Sequence, residues 1–235
     1  MTSEAVESVD IAANVALVRE RIARAAQRAG RHPEEILLVA ASKQVDPTRI
    51  QQAIAAGVTD IGENYVQEAA AKRARIGERV RWHLIGHLQR NKAGPAVAVF
   101  DIIQTVDSVR LAEAVGRRAQ AAGKTVEVLL QVNTSGEASK SGVAPEEAEQ
   151  LLEALAHLPG LRVQGLMTIG SFQPDPERGR REFRLLAGLA SKLSGRGGVQ
   201  LRWLSMGMSH DFEAAIEEGA NLVRIGTGIF GPRPG

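Results

Sequence analysis

The chain has 235 residues and a mass of 25.1 kDa, with 44% hydrophobic and 24% charged residues, the balance of a soluble globular protein. It contains no cysteine, which excludes disulfides, thiolate metal sites and cysteine nucleophiles. The formal net charge is only +2, and the basic clusters at Lys72-Arg73-Ala74-Arg75 and 178–184 sit among glutamates with no interleaved aromatics, so they read as solvated helix faces and not as a nucleic-acid surface.

Residues 1–8 read as a loose acidic tail that lacks the basic and apolar regions of a signal peptide. Ile11, Val15, Val18, Ile22 and Ala26 recur at helical spacing over 10–29, and Gly30 closes that helix. The continuous apolar run at 36–41 predicts a strand buried on both faces, as in a parallel sheet. Pro47 opens a helix that Gly57 stops. The alternation continues with strands at 58–61, 82–85, 100–105, 126–132, 163–169, 201–204 and 222–225. Helices fall between them at 64–76, 91–98, 108–122, 145–157, 176–194 and 209–218.

Such βα repetition implies a parallel sheet with right-handed crossovers. Eight units in a chain of this length predict an α/β protein of the closed (β/α)8 TIM-barrel kind, with one extra N-terminal helix, and one domain over 1–235. A doubly wound open sheet shares the alternation, but no Gly-x-Gly-x-x-Gly follows the first strand. No stretch approaches the apolar length that spans a bilayer, and the expected location is the cytoplasm.

Barrel enzymes build their sites at the C-terminal ends of the strands. Those ends carry Ser42-Lys43, Gly62-Glu63-Asn64-Tyr65, His83 with Gly86-His87, Asn133-Thr134-Ser135, Met167-Thr168, Ser205 to Ser209, and Arg224 with Gly226-Thr227-Gly228. Lys43 is one of only six lysines and directly follows an apolar run. It is either a partly desolvated amine fit to attack an aldehyde or a strand-end lysine reaching for solvent. The last two loops, rich in glycine and hydroxyls, suit a phosphate, with Ser209 placed at a helix start as an anion contact or an ordinary N-cap. Arg224 lies inside an apolar strand and requires a partner. Glu63 shapes the second strand's mouth or pairs with a cation there. His83 and His87 lack an acidic cluster to complete a metal site, and no metal is expected. Tyr65 is the only tyrosine and reads as a packing residue at a helix start.

Seven segments carry a family resemblance: Val39-Ala40-Ala41-Ser42-Lys43; Gly62-Glu63-Asn64-Tyr65; the run from Trp82 to Lys92; Ser139-Lys140-Ser141-Gly142; Gly165-Leu166-Met167-Thr168; Ser205-Met206-Gly207-Met208-Ser209-His210-Asp211-Phe212-Glu213; and Arg224 to Gly231. In order and over nearly the whole chain, they resemble the pyridoxal 5′-phosphate (PLP) homeostasis proteins, the YggS/PROSC family. The resemblance implies a fold-type III PLP barrel like the N-terminal domain of alanine racemase. It implies that Lys43 forms the aldimine, that Arg224 faces the pyridine nitrogen, that Ser209, Gly226 and Thr227 hold the phosphate, and that Asn64 and His83 surround the ring. Lys140 matches a basic residue near the mouth. Departures include Leu84 in place of Phe or Met, Gln44 where Thr is frequent, Gly94-Pro95 in a helix start, and a tail ending at Pro234-Gly235.

The implied function is PLP binding as a lysine Schiff base and intracellular PLP homeostasis with little or no turnover. The expected partners are PLP and apo PLP-dependent enzymes, with no nucleic acid and no membrane, and the expected state is a monomer. The alternative is a barrel-only amino-acid racemase. It needs a second acid/base group, which alanine racemases take from a separate domain that a chain of this length leaves no room for.

Overall fold

The structure is a computed structural model, and it describes residues 9–171 and 176–232. The tail expected at 1–8 and the terminal Pro234-Gly235 lie outside the described residues. Eight parallel strands close into a barrel in sequence order. They are β1 (Leu37–Ala41), β2 (Asp60–Glu63), β3 (Arg81–Leu84), β4 (Ile102–Val106), β5 (Val126–Gln131), β6 (Leu161–Met167), β7 (Trp203–Ser205) and β8 (Leu222–Ile225). The ring closes where β1 pairs with β8, with Val39 opposite Arg224.

The helices are α1 (Ile11–Arg28), α2 (Pro47–Ala55), α3 (Val66–Ile76), α4 (Ala93–Val99), α5 (Val109–Ala121), α6 (Ala148–Ala156), α7 (Pro176–Leu193), α8 (Phe212–Glu217) and the single turn α9 (Thr227–Phe230). Their starts are chemically marked. Asp10 accepts from the Ala13 N–H, and Asp46 accepts from the Thr48 N–H beside Pro47. α1 completes the helical ring. The last βα unit supplies only α9, and α1 packs against α2, α8 and α9. Asn14 Nδ2 donates to the Ile229 carbonyl at 3.0 Å, tying α1 to α9.

Strand parity divides the apolar residues into two clusters. The larger lies between strands and helices, with Ala40, Ile61, Trp82, Ile103 and Leu130 meeting residues such as Val18, Ile50, Ala69, Leu152 and Phe212. Each large side chain buried there contributes about 1.5–3 kcal/mol. The smaller cluster, Val39, Leu129, Met167, Trp203 and Leu222, fills part of the barrel bore. The rest of the bore is polar. At Gly165, a Cβ would sit 1.9 Å from the Trp203 carbonyl oxygen, so glycine is what lets β6 approach β7.

The barrel and its leading helix match the sequence reading, but several boundaries do not. β2 lies at 60–63, two residues beyond the expected span. Val58 is buried yet unpaired, whereas the strand contains the buried polar residues Asp60 and Glu63, which an apolar pattern passes over. β7 likewise runs into the buried Ser205. α8 begins at Phe212 and not at Ser209, because Met208 to Asp211 form a turn in which Asp211 Oδ1 accepts from the Met208 N–H. The turn α9 has no counterpart in the sequence pattern.

Candidate functional site

Lys43 follows β1 at the C-terminal mouth. It is partly buried and sits between the fully buried Ser42 and Gln44, whose φ of 61° is the only positive value among the described non-glycine residues. That left-handed turn is held by the Gln44 N–H donating to Glu68 Oε1 at 2.6 Å. A second lysine supports it from behind. Lys72 Nζ, on α3, donates to the Ser42 carbonyl, to Glu63 Oε1 and to Glu68 Oε1 at 2.6–2.7 Å. Ser42 Oγ also donates to Glu63 Oε1, at 2.5 Å. Burial pushes the Glu63 carboxyl upward against the pull of Lys72 and Ser42. Of the two roles open to Glu63 in the sequence, the structure displays pairing with a cation.

Asn64 directly follows β2 and touches the loop after β3. A Cβ on Gly86 would lie 2.5 Å from the Asn64 carbonyl oxygen, so glycine permits that approach. Tyr65 is 61% exposed at the start of α3 and does not pack as expected. His87 is exposed, with Nδ1 3.4 Å from Ser141 Oγ and 4.0 Å from Asp107. Lys140, in the loop after β5, donates to Glu137 Oε1 at 3.0 Å and to the Gly170 carbonyl at 3.3 Å.

The loops after β7 and β8 form one unit. Ser209 Oγ accepts from the backbone N–H groups of both Gly226 and Gly228, each at 3.2 Å. Ser209 is therefore no N-cap. Its oxygen is a pin between two loops, and its own O–H is left to donate. Thr227 is exposed beside it and opens α9.

Arg224 points into the bore with 4% exposure. Its Nη1 donates to Ser205 Oγ at 2.5 Å and its Nη2 to the Thr168 carbonyl at 2.7 Å, both neutral oxygens. Burial pushes its guanidinium down to about 10, opposed by the charge of Asp211. His83 lies deeper in the bore and is fully buried. Its Nε2 is 2.7 Å from Asp60 Oδ1 and its Nδ1 is 2.9 Å from Gln104 Nε2. The structure thus gathers Lys43, Asn64, Arg224, Ser209, Gly226 and Thr227 around one mouth and sets His83 beneath it.

Sequence reasoning passes over Gln104, Ser205 as a side chain and Asp60, and it places Lys72 on a solvated helix face, whereas Lys72 is buried and paired with Glu63 and Glu68. A signal for Gln104 is present: an amide side chain within an otherwise largely apolar strand. The β4–β5 register shifts between Ile103 and Val106, and such an irregularity breaks the parity by which its direction could be assigned.

This fold and mouth define a barrel of the alanine racemase N-terminal type, and the family described as "Alanine racemase, N-terminal domain" matches residues 13–234. Within that class, the chain belongs to the pyridoxal phosphate homeostasis protein family. It is 45% identical over 226 residues to the member from Pseudomonas aeruginosa, covering 95% of this chain and 96% of the relative. It is 43% identical over 234 residues to the Escherichia coli member, covering 95% and 97%. Among solved structures, PipY of Synechococcus elongatus with PLP bound is 35% identical with a TM-score of 0.83, covering 94% of this chain and all (100%) of that one. An alanine racemase of Clostridium difficile, at 16% identity and a TM-score of 0.75, shares the fold; the match covers 95% of this chain and 58% of that one.

Proposed function

We propose that the chain binds pyridoxal 5′-phosphate at the C-terminal mouth and acts in the homeostasis of that cofactor, with little or no catalytic turnover. Its binding residues are Lys43, Asn64, His83, Ser209, Arg224, Gly226 and Thr227. The observation that carries this reading is Arg224: a buried guanidinium whose described donors meet only neutral oxygens, on the strand paired with the one that leads to Lys43. The relatives' names and the PLP-bound PipY structure support it.

The donor set fits this group: a primary amine, a buried cation and a loop pair of N–H and O–H groups on adjoining strands. When bound, PLP supplies an aldehyde that condenses with an amine and a pyridine ring that accepts electron density. Lys43 offers the amine, held at the strand end by the Ser42–Glu63–Lys72 cluster. Ser209 Oγ takes the Gly226 and Gly228 N–H groups, so its own O–H would donate to the phosphate together with the exposed Thr227, while Gly226 shapes the turn that sets them side by side. His83 has both ring nitrogens committed within the barrel, so it offers no polar group to the cofactor. Arg224 at about 10 keeps its proton at neutral pH. If it faces the pyridine nitrogen, as the family resemblance implies, Arg224 would leave that nitrogen unprotonated and the ring a poorer electron sink, which argues for slow turnover without forbidding it.

Among the described residues, no helix is long and apolar enough to cross a membrane. The proposal includes a cytoplasmic monomer that hands PLP to apo-enzymes. The test is the near-ultraviolet and visible spectrum before and after adding PLP: a new band is expected, absent in Lys43→Ala. Chiral analysis with single amino acids separates this from a racemase. Turnover at ordinary enzymatic rates contradicts the homeostasis reading.

A further inference from the structure

The polar part of the barrel bore is one continuous chain. Arg224 Nη1 donates to Ser205 Oγ at 2.5 Å, and Ser205 Oγ donates to Gln104 Oε1 at 2.6 Å. Gln104 Nε2 is 2.9 Å from His83 Nδ1, and His83 Nε2 is 2.7 Å from Asp60 Oδ1. The chain runs from β8 through β7, across the bore to β4, and on through β3 to β2. It ends where Asp60 also accepts from Arg81 Nε at 2.9 Å and from Thr59 Oγ1 at 2.7 Å. Asp60 and Arg81 line the opposite mouth, where a cavity of about 850 Å³ opens.

The ends determine every proton between them. A guanidinium can only donate, so Ser205 accepts from Arg224 and must spend its own proton on Gln104. This turns the Gln104 carbonyl toward Ser205 and its amide nitrogen toward His83. An amide nitrogen can only donate, so His83 Nδ1 carries no proton. The proton is then on Nε2, where the Asp60 carboxylate accepts it. A flipped Gln104 leaves the Ser205 proton without an acceptor and, with His83 neutral, sets a bare Nε2 against the Asp60 carboxylate. Both are costly in a buried site.

We propose that Gln104 and Ser205 are positioning residues that hold the Arg224 guanidinium toward the proposed cofactor site, through a chain of fixed polarity that His83, as the neutral Nε2–H tautomer, anchors on Asp60. This rests on the reading of the mouth as a PLP site. Arg224 has no described carboxylate as a hydrogen-bond partner, so its orientation depends on Ser205 and the Thr168 carbonyl. Ser205 is in turn oriented only if Gln104 stays unflipped. The remote carboxylate therefore sets the direction of a guanidinium on the far side of the bore.

The experiment has two parts. In the unaltered protein without PLP, nitrogen NMR of the His83 ring is expected to show one bare nitrogen, Nδ1, and one protonated nitrogen, Nε2. A proton on Nδ1, alone or together with Nε2, overturns the chain without reference to any variant. In PLP titrations, Ser205→Ala and Gln104→Leu are expected to weaken binding about tenfold and to displace the absorbance maximum of the bound cofactor, while Ser205→Thr, which keeps the hydroxyl, restores both. Variants that match the unaltered protein in affinity and spectrum overturn the positioning role, even where Lys43 is still labelled. An unaltered protein that takes up no PLP overturns the underlying reading, and the cofactor part of this proposal with it.

Discussion

Lys72 Nζ and Glu63 Oε1 form an ion pair at 2.7 Å between β2 and α3, with side-chain exposures of 7% and 0%. The pair stands directly behind Lys43, because the same ammonium holds the Ser42 carbonyl. Removing one partner of a buried pair leaves a charge without compensation and costs about 3–5 kcal/mol. Lys72→Met is expected to lose that much stability in urea unfolding and to slow the reaction of Lys43 with PLP. Lys72→Met combined with Glu63→Leu is expected to recover most of the stability, since two apolar side chains can replace such a pair. A Lys72→Met protein as stable as the original would show that the pair is no brace.

Ser209 links the loops after β7 and β8 through the Gly226 and Gly228 N–H groups. Ser209→Ala strands both donors and removes one hydroxyl from the proposed phosphate site. PLP binding is expected to fall about tenfold, the scale of one hydrogen bond to a charged group. Binding of pyridoxal, which lacks the phosphate, is expected to change little. Parallel fluorescence titrations with the two ligands check this, and an equal loss for both would remove the phosphate from the explanation.

Gly86 meets the backbone of Asn64 so closely that a Cβ there would lie 2.5 Å from the Asn64 carbonyl oxygen and 2.6 Å from its Cα. Backbone cannot rotate away, so Gly86→Ala must push the β2 and β3 loops apart. Overpacking of this kind costs about 1–3 kcal/mol. The variant is expected to fold with reduced stability and to bind PLP more weakly, as Asn64 moves off the mouth. Thermal unfolding and a PLP titration on the same sample read the two effects.

Ion pairs at the α7–α8 contact contribute stability that acid is expected to remove. Arg184 and Arg180 hydrogen bonds hold the Glu218 carboxyl below its ordinary value of 4.5, against partial burial. At Glu217, partial burial pulls upward, but hydrogen bonds from Arg28 and Arg180 outweigh it and the net direction is down. A carboxyl lowered in the folded state binds its proton more weakly there than in the unfolded chain. Its stabilisation is therefore complete above about 4.5 and is lost as pH falls through the lowered folded value. Glu217→Gln with Glu218→Gln is expected to lower the melting temperature at neutral pH and to flatten its decline in acid. A decline as steep as in the original protein would place the acid-sensitive groups elsewhere.

The barrel is legible in the sequence because its signal is periodic. Apolar runs such as 36–41 between helical segments mark a parallel sheet, and Ile11, Val15, Val18 and Ile22 mark the leading helix. The strand-end residues Lys43, Asn64 and Ser209 and the Gly226-Thr227 turn are also legible, because topology alone brings strand ends to one mouth. The polar chain is not. Asp60 and Gln104 lie in strands where a polar residue ordinarily argues against burial, and their placement depends on partners far away in sequence. A serine before a helical segment usually caps it, and Ser209 has that local pattern. Its actual role depends on two N–H groups in the next loop, which no local pattern records.

Lys43 is the amine proposed to take up PLP. Borohydride reduction of the PLP-treated protein, followed by peptide mass mapping, tests it most directly. The expected result is a phosphopyridoxyl group on the Lys43 peptide, absent from Lys43→Ala and from the peptides of Lys72 and Lys140. A fully unlabelled protein, or label on other lysines with Lys43 unmodified, would rule out Lys43 as that amine.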